Sequence, residues 1–461
     1  MEKIKSLRAL DITVLILKTS IFGLIGLSLL FARPFVGIEF LGVRLGELLT
    51  LAGLLVSLIF LILPKQYLSF AYFNDLQFYS FKLIIVSFLL INIINGGDFL
   101  NTYTYKSSSF IWTTGFIFFG IITRLESTMK NSYFFNILLV VPFFTYLFAS
   151  GNYPNVIIDL FIKYADKFQF LKPSDLFLIY AATNFSLKYF IKSNNRRFLY
   201  FLITSSLYAP LLLFSSRGAF LGLVVYVILE IMYSRRYILS NRRRILVYLL
   251  ISSIFFTFSV LRVDRAELAQ ASIDQYFQVT LEEGISSSLT NIASRKDNIN
   301  VWFSFYFYED SKGYQRLSST DPTTDWRLDI WQDITFDMYR EGRVLSGYGY
   351  NEVFPQMLDP TAPGRLGRDG LNENIHNYFI NIFARGGLLQ FILFVIFHLG
   401  IIKYWKETSS NYQILMYIIP ALIVSSLDVT MEGVQFPLIY YFFLYYFLYN
   451  STKVKVIELY G

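Results

Sequence analysis

Cysteine is absent from this chain of 461 residues, and histidine occurs only twice. The first absence excludes disulfides and thiolate-bound metal, and two histidines are too few for a histidine-rich metal cluster. Charged residues are also scarce, at 16% of the chain. A typical soluble domain carries about 25% charged residues. The composition therefore argues against a water-soluble core.

Apolar residues are what the chain has in excess. They make up 54% of it, aromatic residues make up 19%, and the mean hydropathy is +0.47. Many fall in runs near the length of about 20 residues that a helix needs to cross a bilayer. The runs predict an all-α polytopic membrane protein with twelve transmembrane helices, at residues 13–31, 45–63, 81–94, 109–123, 134–149, 174–191, 198–214, 217–233, 245–261, 378–402, 412–427 and 434–449.

Basic residues predict how these helices are oriented. Lys3, Lys5 and Arg8 precede the first apolar run, and no cleavage site for a signal peptide follows. This pattern predicts a retained signal anchor and a cytoplasmic start, and an even number of spans returns the chain to the cytoplasm at its end. The basic connections at 192–197 and 235–244 then lie inside as well. The second cluster can also bind anionic lipid or nucleic acid, but topology alone accounts for it.

The longest polar stretch, 262–377, is external in this topology and lies between predicted helices 9 and 10. It is acidic on balance, although the whole chain carries a net charge of +7. We therefore expect a single membrane domain over 1–461 with one large external loop insertion over 262–377.

Ser216, Arg217 and Gly218 join two predicted spans through almost no loop. Arg217 is thus expected at the outer end of a helix, where free N–H groups and the positive dipole attract anions. Its guanidinium adds a fork suited to phosphate, and Gly218 permits close backbone approach. The alternative is an arginine that only marks the membrane interface.

A second candidate element opens inside the external loop. The stretch from Thr324 to Arg340 predicts a helix that stops at Gly342, with Thr324 or Asp325 as its cap. Apolar residues recur in it every four positions, which is typical of a helix that lies on the membrane or packs on the bundle. These residues are Trp326, Ile330, Ile334 and Met338.

Arg327 and Trp331 are four residues apart on this predicted helix. At that spacing the guanidinium can stack on the indole and be held for a ligand. The alternative is a surface helix on which Arg327 forms ordinary salt bridges to Asp329 or Asp333.

His376 lies where the external loop ends and an apolar helix begins, and Asn377 follows it. An unperturbed imidazole titrates near neutrality, so a histidine at the rim of a membrane beside a polar loop is a candidate proton acceptor. The alternative is a hydrogen-bonded anchor at the interface. The second histidine, His398, falls in the last turns of a span and is expected to be either packed or snorkelling toward the interface.

Gly347 and Gly349 predict a turn between the loop helix and His376. The turn is not a dinucleotide-binding fingerprint, because the strand, the third glycine and the helix are missing. We expect it to let the chain turn back toward the membrane.

Further charges flank the last and the first external connections. Asp428 and Glu432 belong to the last, and Arg33, Arg44 and Glu47 belong to the first. They either ring one outer cavity or are solvated loop charges, and the second interpretation is preferred.

Taken in order, these motifs resemble the O-antigen ligase and O-antigen polymerase superfamily of bacterial membrane glycosyltransferases. Each motif is weak alone, but their order and topology are specific, and the detailed resemblance covers residues 214–389. The elements are the hairpin Ser216 to Ala219, the pair Arg327 and Trp331, the turn Gly347 to Gly349, and His376–Asn377 followed by Gly386–Gly387.

The resemblance implies a GT-C-like helical fold in the bacterial cytoplasmic (inner) membrane, with the loop in the periplasm. Such enzymes transfer a glycan from undecaprenyl pyrophosphate to an acceptor outside that membrane. The acceptor is lipid A-core in a ligase and another lipid-linked repeat unit in a polymerase. The resemblance also implies no metal ion and no other cofactor. The expected partners are the lipid-linked donor, the acceptor and membrane lipids, without nucleic acid.

In such a reaction Arg217 and Arg327 are the candidates for stabilising the departing pyrophosphate, since no metal does so. His376 is the candidate for taking the proton of the acceptor hydroxyl or for orienting that hydroxyl. The neighbouring Ser216, Trp331 and Asn377 are expected to bind substrate.

Two other classes of protein stay open at this stage. A transporter or lipid-linked glycan flippase is expected to show charged or broken helices near the middle of the membrane. Here the notable charges cluster at the outer rim, which favours an outward-facing enzyme. A structural partner in an envelope assembly would tolerate replacement of Arg217 and His376. Ligase and polymerase are not distinguished by the motifs, because both would use the same residues.

Overall fold

The structure of the protein is a computed structural model that describes residues 17, 19–64, 74–122, 132–151, 153–165, 171–265, 305–310, 313–359, 365 and 373–460. The basic residues Lys3, Lys5 and Arg8, on which the predicted signal anchor depends, lie outside these residues. The helices are α1 (Thr19–Phe31), α2 (Arg33–Val36), α3 (Leu45–Ile62), α4 (Asp75–Ile94), α5 (Thr102–Ser107), α6 (Ser109–Trp112), α7 (Ile117–Ile122), α8 (Ser132–Ala149), α9 (Asn155–Ala165), α10 (Pro173–Phe190), α11 (Asn194–Ser215), α12 (Arg217–Tyr233), α13 (Arg235–Ser240), α14 (Arg242–Arg265), α15 (Pro322–Arg340), α16 (Tyr378–Ser409), α17 (Leu415–Ser425) and α18 (Gln435–Tyr460).

Two antiparallel hairpins and two 3-10 turns complete the described elements. The strands are β1 (Glu39–Phe40) paired with β2 (Val43–Arg44), and β3 (Phe305–Glu309) paired with β4 (Gln315–Ser319); the 3-10 turns are Thr113–Phe116 and Pro355–Met357.

Five of the described helices, α3, α4, α11, α14 and α16, are long and apolar enough to cross a membrane. Their outward faces are apolar as well: Leu250 and Ile254 of α14 are each 68% exposed. Soluble proteins rarely expose contiguous apolar surface of this kind. The predicted all-α membrane class is therefore confirmed. The count of twelve spans and the external side of the loop stay predictions.

The predicted span at 109–123 is helical over its described residues, but it is not one regular α-helix. The helix ends at Trp112, passes through a 3-10 turn and restarts at Ile117. The Thr114 hydroxyl donates a hydrogen bond to a carbonyl of the preceding turn, and an ideal Cβ on Gly115 would lie only 2.6 Å from the carbonyl oxygen of Gly53. Local hydroxyl bonding and this close approach to α3 account for the break.

The core of the bundle surrounds α10 and α18. Pro173 opens α10 at a position where its missing N–H is not needed, and Phe177, Tyr180 and Phe185 along the helix are fully buried. Helix α18 packs against α7, α10 and α16, while α12 packs against α17. These contacts bring the start of α12 to the end of α17, where the candidate site lies.

The loop helix α15 packs on α16, as its apolar stripe predicts. Ile330, Ile334 and Met338 are fully buried in a small core that includes Ala384 of α16. The cap differs from the prediction: Asp321, rather than Thr324 or Asp325, accepts the Thr324 N–H at 3.0 Å, and Pro322 follows it. Proline at the first helical position explains why the helix begins earlier.

The predicted glycine turn docks on an interruption of α16. Gly387 has φ 65° and ψ −173° inside that helix. The Tyr348 N–H donates to the carbonyl of Ala384 at 2.7 Å, and the Gly349 N–H donates to that of Arg385 at 3.0 Å. The turn therefore satisfies carbonyl groups that the interruption releases.

Replacing Gly387 with alanine is expected to destabilise the protein by roughly 1–3 kcal/mol, because a left-handed φ strains any side chain. An ideal Cβ there would also lie 2.1 Å from the carbonyl oxygen of Leu345. Gly26→Ala is the matched control, since its ideal Cβ meets nothing within 4 Å. Thermal unfolding in detergent measures the difference, and equal melting temperatures for the two variants would contradict the expectation.

Candidate active site

Arg217 lies in the first turn of α12. The hydroxyl of Ser216 caps this helix by accepting the Ala219 N–H at 3.4 Å. The Arg217 Nη1 atom lies 3.1 Å from Oδ1 of Asp321, and the arginine side chain is 52% exposed. An ion pair this exposed contributes about 1 kcal/mol or less. An anionic substrate can therefore replace the Asp321 carboxylate at little cost.

The turn after α17, at Leu427 and Asp428, connects the other candidates. An ideal Cβ on Gly218 would lie 3.0 Å from the Cβ of Leu427, so the start of α12 packs directly on this turn. Arg327 Nη1 donates to the Leu427 carbonyl at 2.5 Å. His376 Nδ1 lies 4.0 Å from Oδ1 of Asp428. One turn thus brings together α12, the loop helix and the residue before α16.

His376 has a left-handed backbone with φ 55°, a conformation that is uncommon for residues other than glycine. The Trp331 indole N–H donates to the carbonyl of the preceding Ile375 at 2.6 Å. The ring of Trp326 meets the imidazole edge-on, with centroids 5.4 Å apart. Two tryptophans of α15 therefore fix the backbone and the ring of His376.

Burial, together with the smaller effect of the nearby Arg327, lowers the pKa of His376 to about 4, whereas Asp428 opposes the shift. The 4.0 Å contact with Asp428 is thus too weak to keep the imidazole protonated. At neutral pH the ring is neutral and can accept a proton. Burial also lowers the pKa of Arg327, but Asp428 and Asp321 favour its charged form, and an arginine stays cationic.

The solvated-charge interpretation is wrong for Asp428 and Glu432. The Asp428 side chain is only 21% exposed where it faces His376. Burial raises the pKa of Glu432 to about 7, and one carboxylate oxygen accepts the Thr430 N–H at 3.1 Å. Lys172, which the sequence did not single out, donates to the Val429 carbonyl at 3.3 Å. The connection after α17 is therefore a packed polar segment.

The charges predicted for the first connection, Arg33, Arg44 and Glu47, do not all fit one interpretation. Arg44 is 55% exposed and pairs with Glu39 at 3.4 Å, while Glu47 accepts the Arg44 N–H in a helix cap. These are solvated charges, as predicted. Arg33 is also exposed, but it interacts electrostatically with Asp175 and Asp428, so it lies near the packed polar segment after α17.

Two of the residues predicted to bind substrate are helix caps. Asn377 accepts the N–H groups of Phe379 and Ile380 at 3.0 and 3.1 Å and so begins α16. Ser216 begins α12 in the same way. Trp331 is committed to the Ile375 carbonyl. Their contribution to substrate binding stays a prediction, and the contacts observed here position Arg217 and His376.

The predicted stacking of Arg327 on Trp331 is wrong: among the residues with described side chains no cation–π contact joins them. Instead, Arg327 donates to the Leu427 carbonyl and Trp331 donates to the Ile375 carbonyl. The alternative, salt bridges from Arg327 to Asp329 or Asp333, is also not observed, since Arg316 of β4 contacts both carboxylates. Arg327 is therefore directed toward the bundle.

Arg385 is a buried arginine that the sequence analysis missed. It donates to the carbonyls of Gly349 and Glu352 at 3.2 and 2.6 Å and to the Tyr103 hydroxyl at 3.2 Å, and it stacks on Phe354 at 3.9 Å. These contacts hold the docked glycine turn. An arginine within an apolar run was the available signal, because such residues are rarely left without partners.

An apolar groove of about 200 Å3 runs between α16 and α17. It begins at Tyr378, two residues after His376, and reaches His398, which is packed rather than snorkelling, with its Nδ1 2.9 Å from the Phe394 carbonyl oxygen. Its lining includes Phe391, Ile418 and Leu422.

Trp331→Phe is expected to slow the candidate enzyme about tenfold, because it leaves the Ile375 carbonyl without its donor and loosens His376. The loss should fall on kcat rather than on KM, because phenylalanine keeps an aromatic ring at this position and loses only the donor. Tyr339→Phe, at a side chain 81% exposed on the same helix, is the control. Wild-type kcat in Trp331→Phe would show that this hydrogen bond does not position the histidine.

These features define a polytopic membrane protein with a cationic, histidine-containing site suited to group transfer from an anionic donor. A family model described as O-antigen ligase matches residues 200–395, a segment that holds Arg217, Arg327 and His376. The resemblance drawn from the motifs is thereby confirmed over this segment, which is somewhat under half of the chain. No curated protein matched the chain.

Proposed function

We propose that the protein transfers a glycan from undecaprenyl pyrophosphate to an acceptor outside the cytoplasmic membrane, as an O-antigen-type polymerase or ligase. The observation that carries the proposal is the meeting of Arg327 and His376 on the turn at Leu427 and Asp428, beside the start of α12. Fixed cations and a neutral imidazole in one place are what transfer from a pyrophosphate requires when no metal takes part.

Arg217 and Arg327 are the groups proposed to hold the pyrophosphate. Arg217 already contacts the Asp321 carboxylate in a geometry that a phosphate can take over. The Nε atom of Arg327 is buried and makes no hydrogen bond within the described residues, which leaves a donor for a phosphate oxygen. The groove between α16 and α17 offers the lipid tail an apolar surface that begins at Tyr378, two residues after His376 in the chain.

In the proposed reaction the acceptor oxygen bonds to the anomeric carbon while the bond from that carbon to the pyrophosphate oxygen breaks. The pyrophosphate leaves with the bonding electrons, and the arginines stabilise its added charge. The acceptor proton passes to the neutral imidazole of His376. The bound pyrophosphate assists this step, because its negative charge raises the pKa of a histidine that burial and Arg327 hold low.

Transfer in vesicles of purified protein, with lipid-linked donor, acceptor and a chelator, tests the proposal. Radiolabelled glycan should move to the acceptor, and Arg217→Ala should slow the transfer while Arg44→Ala, an exposed arginine in the β1–β2 hairpin, should not. Full activity of Arg217→Ala, Arg327→Ala and His376→Ala would sink the assignment. Movement of solute across the vesicle membrane without sugar transfer would identify a transporter or flippase instead.

Polymerase and ligase are distinguished by deleting the gene and separating the surface glycans on a gel. Loss of long chains with one repeat unit still attached identifies a polymerase. Complete loss of attachment identifies a ligase.

A further inference from the structure

Strand β3 exposes an unbroken run of aromatic side chains. Their exposed fractions are 52%, 50%, 74% and 38% for Phe305, Tyr306, Phe307 and Tyr308, respectively. A surface run of four aromatic residues is a marker of binding rather than of folding, because burial would have stabilised the protein more.

The two outer edges of the β3–β4 hairpin differ in what covers them. The outer edge of β4 is covered by α15, since the Gln332 amide accepts the Leu317 N–H at 2.7 Å and donates to the Leu317 carbonyl at 2.8 Å. Within the part of the chain that the structure describes, the outer edge of β3 has no strand beside it. Exposed rings therefore lie on both faces of an open strand edge.

The strand starts at the candidate active site and leads away from it. Phe305 pairs with Ser319, and Asp321, the partner of Arg217, follows two residues later. At a rise of about 3.4 Å per residue the five-residue strand extends roughly 14 Å from that point.

We propose that β3 is a saccharide-binding surface that holds the glycan chain of the lipid-linked donor. This inference rests on the proposed function. A sugar ring combines apolar C–H faces, which pack on aromatic rings, with hydroxyls, which bond to tyrosine O–H groups and to backbone N–H and C=O groups along a strand edge. The donor is favoured over the acceptor because its pyrophosphate would lie at Arg217, where the strand begins.

Two other occupants fit the open strand less well. Lipid tails would leave the backbone groups of the edge without hydrogen bonds, which is costly in hydrocarbon. A second copy of the chain can pair edge to edge, but the bulky rings on both faces are not needed for that. Both occupants are outcomes of the experiment below.

The test compares the full-length protein in nanodiscs with the double variant Tyr306→Ala and Phe307→Ala. Two donors share the same lipid pyrophosphate and carry either one sugar or several repeat units. The variant is expected to raise KM for the long donor about tenfold and to leave kcat and the single-sugar KM unchanged. Tyr339→Ala, an exposed aromatic on α15, should change neither KM.

Equal changes in both KM values overturn the proposal and assign the strand to the lipid that the two donors share. No change in either KM overturns it as well. A shift from dimer to monomer in the double variant, measured by mass photometry, also overturns it and assigns the strand to an interface between copies. Isothermal titration calorimetry with a lipid-free oligosaccharide of the same repeat unit distinguishes failure of the proposed function from failure of the saccharide-binding surface. Suppose that neither donor supports transfer, but the wild type binds the oligosaccharide and the double variant does not. The proposed function then fails, and the saccharide-binding surface is still supported.

Discussion

Arg327→Ala is expected to lower the rate of glycan transfer by about 100- to 1,000-fold, the loss that follows removal of one preorganised donor from a developing oxyanion. Arg327 is held by the Leu427 carbonyl before any substrate binds, so little reorganisation is needed when the pyrophosphate charge develops. Because the groups around Arg327 are buried, its positive charge stabilises the pyrophosphate more strongly than it would in water. The initial rate at saturating donor measures the effect.

Arg340→Ala is the matched control for this variant. Arg340 lies at the end of the same helix, is 61% exposed and pairs with Asp337, so its removal should leave the transfer rate unchanged. Arg327→Lys should fall between wild type and Arg327→Ala, since lysine keeps the charge but loses the fork. Equal rates for Arg327→Ala and Arg340→Ala would remove Arg327 from the mechanism.

His376→Asn is expected to slow transfer by about 100- to 10,000-fold, the range attributed to a positioned proton acceptor. Asparagine is the informative replacement because it tolerates the left-handed backbone observed at φ 55°. Alanine at this position would combine loss of the imidazole with backbone strain. Ser410→Ala, at a position with φ 56° outside the site, places alanine in the same backbone region and should leave transfer intact.

The pH dependence supplies a second readout for His376. The neutral imidazole is the active form, and burial holds its pKa at about 4. In the wild type, kcat/KM should therefore stay level as the pH falls from 7 to about 5 and decline as the pH falls through the pKa near 4. A decline centred near 6.5, the ordinary value for histidine, would contradict a buried, neutral base.

Sequence patterns predicted the parts of this protein that depend on local spacing. The stripe through Ile330, Ile334 and Met338 predicted the buried face of α15, because a helix repeats every 3.6 residues whatever it packs against. The rarity of histidine drew attention to His376. The order of the motifs predicted the family that the match over 200–395 confirms.

The contacts that assemble the site were not predictable in the same way. Arg327 and Leu427 are 100 residues apart in the chain, and a backbone carbonyl leaves no signature in the sequence. Asp428 followed an apolar run and so resembled an ordinary loop charge, although it faces His376. The spacing of Arg327 and Trp331 predicted a stacked pair, but the tertiary structure offers each side chain a carbonyl elsewhere.

The shortness of α17 has a consequence for where the chemistry takes place. Its 11 residues make about 16 Å of helix, at about 1.5 Å per residue. The hydrocarbon of a bilayer is about 30 Å thick, so α17 does not cross it unaided. Either the bilayer thins locally or the turn at Leu427 and Asp428 is recessed below the lipid headgroups. If the turn is recessed, the lipid-anchored pyrophosphate of the proposed reaction reaches it from within the bilayer, whereas a soluble sugar nucleotide must leave water to do so. The length of one helix would then favour membrane-bound donors before any side chain recognises them.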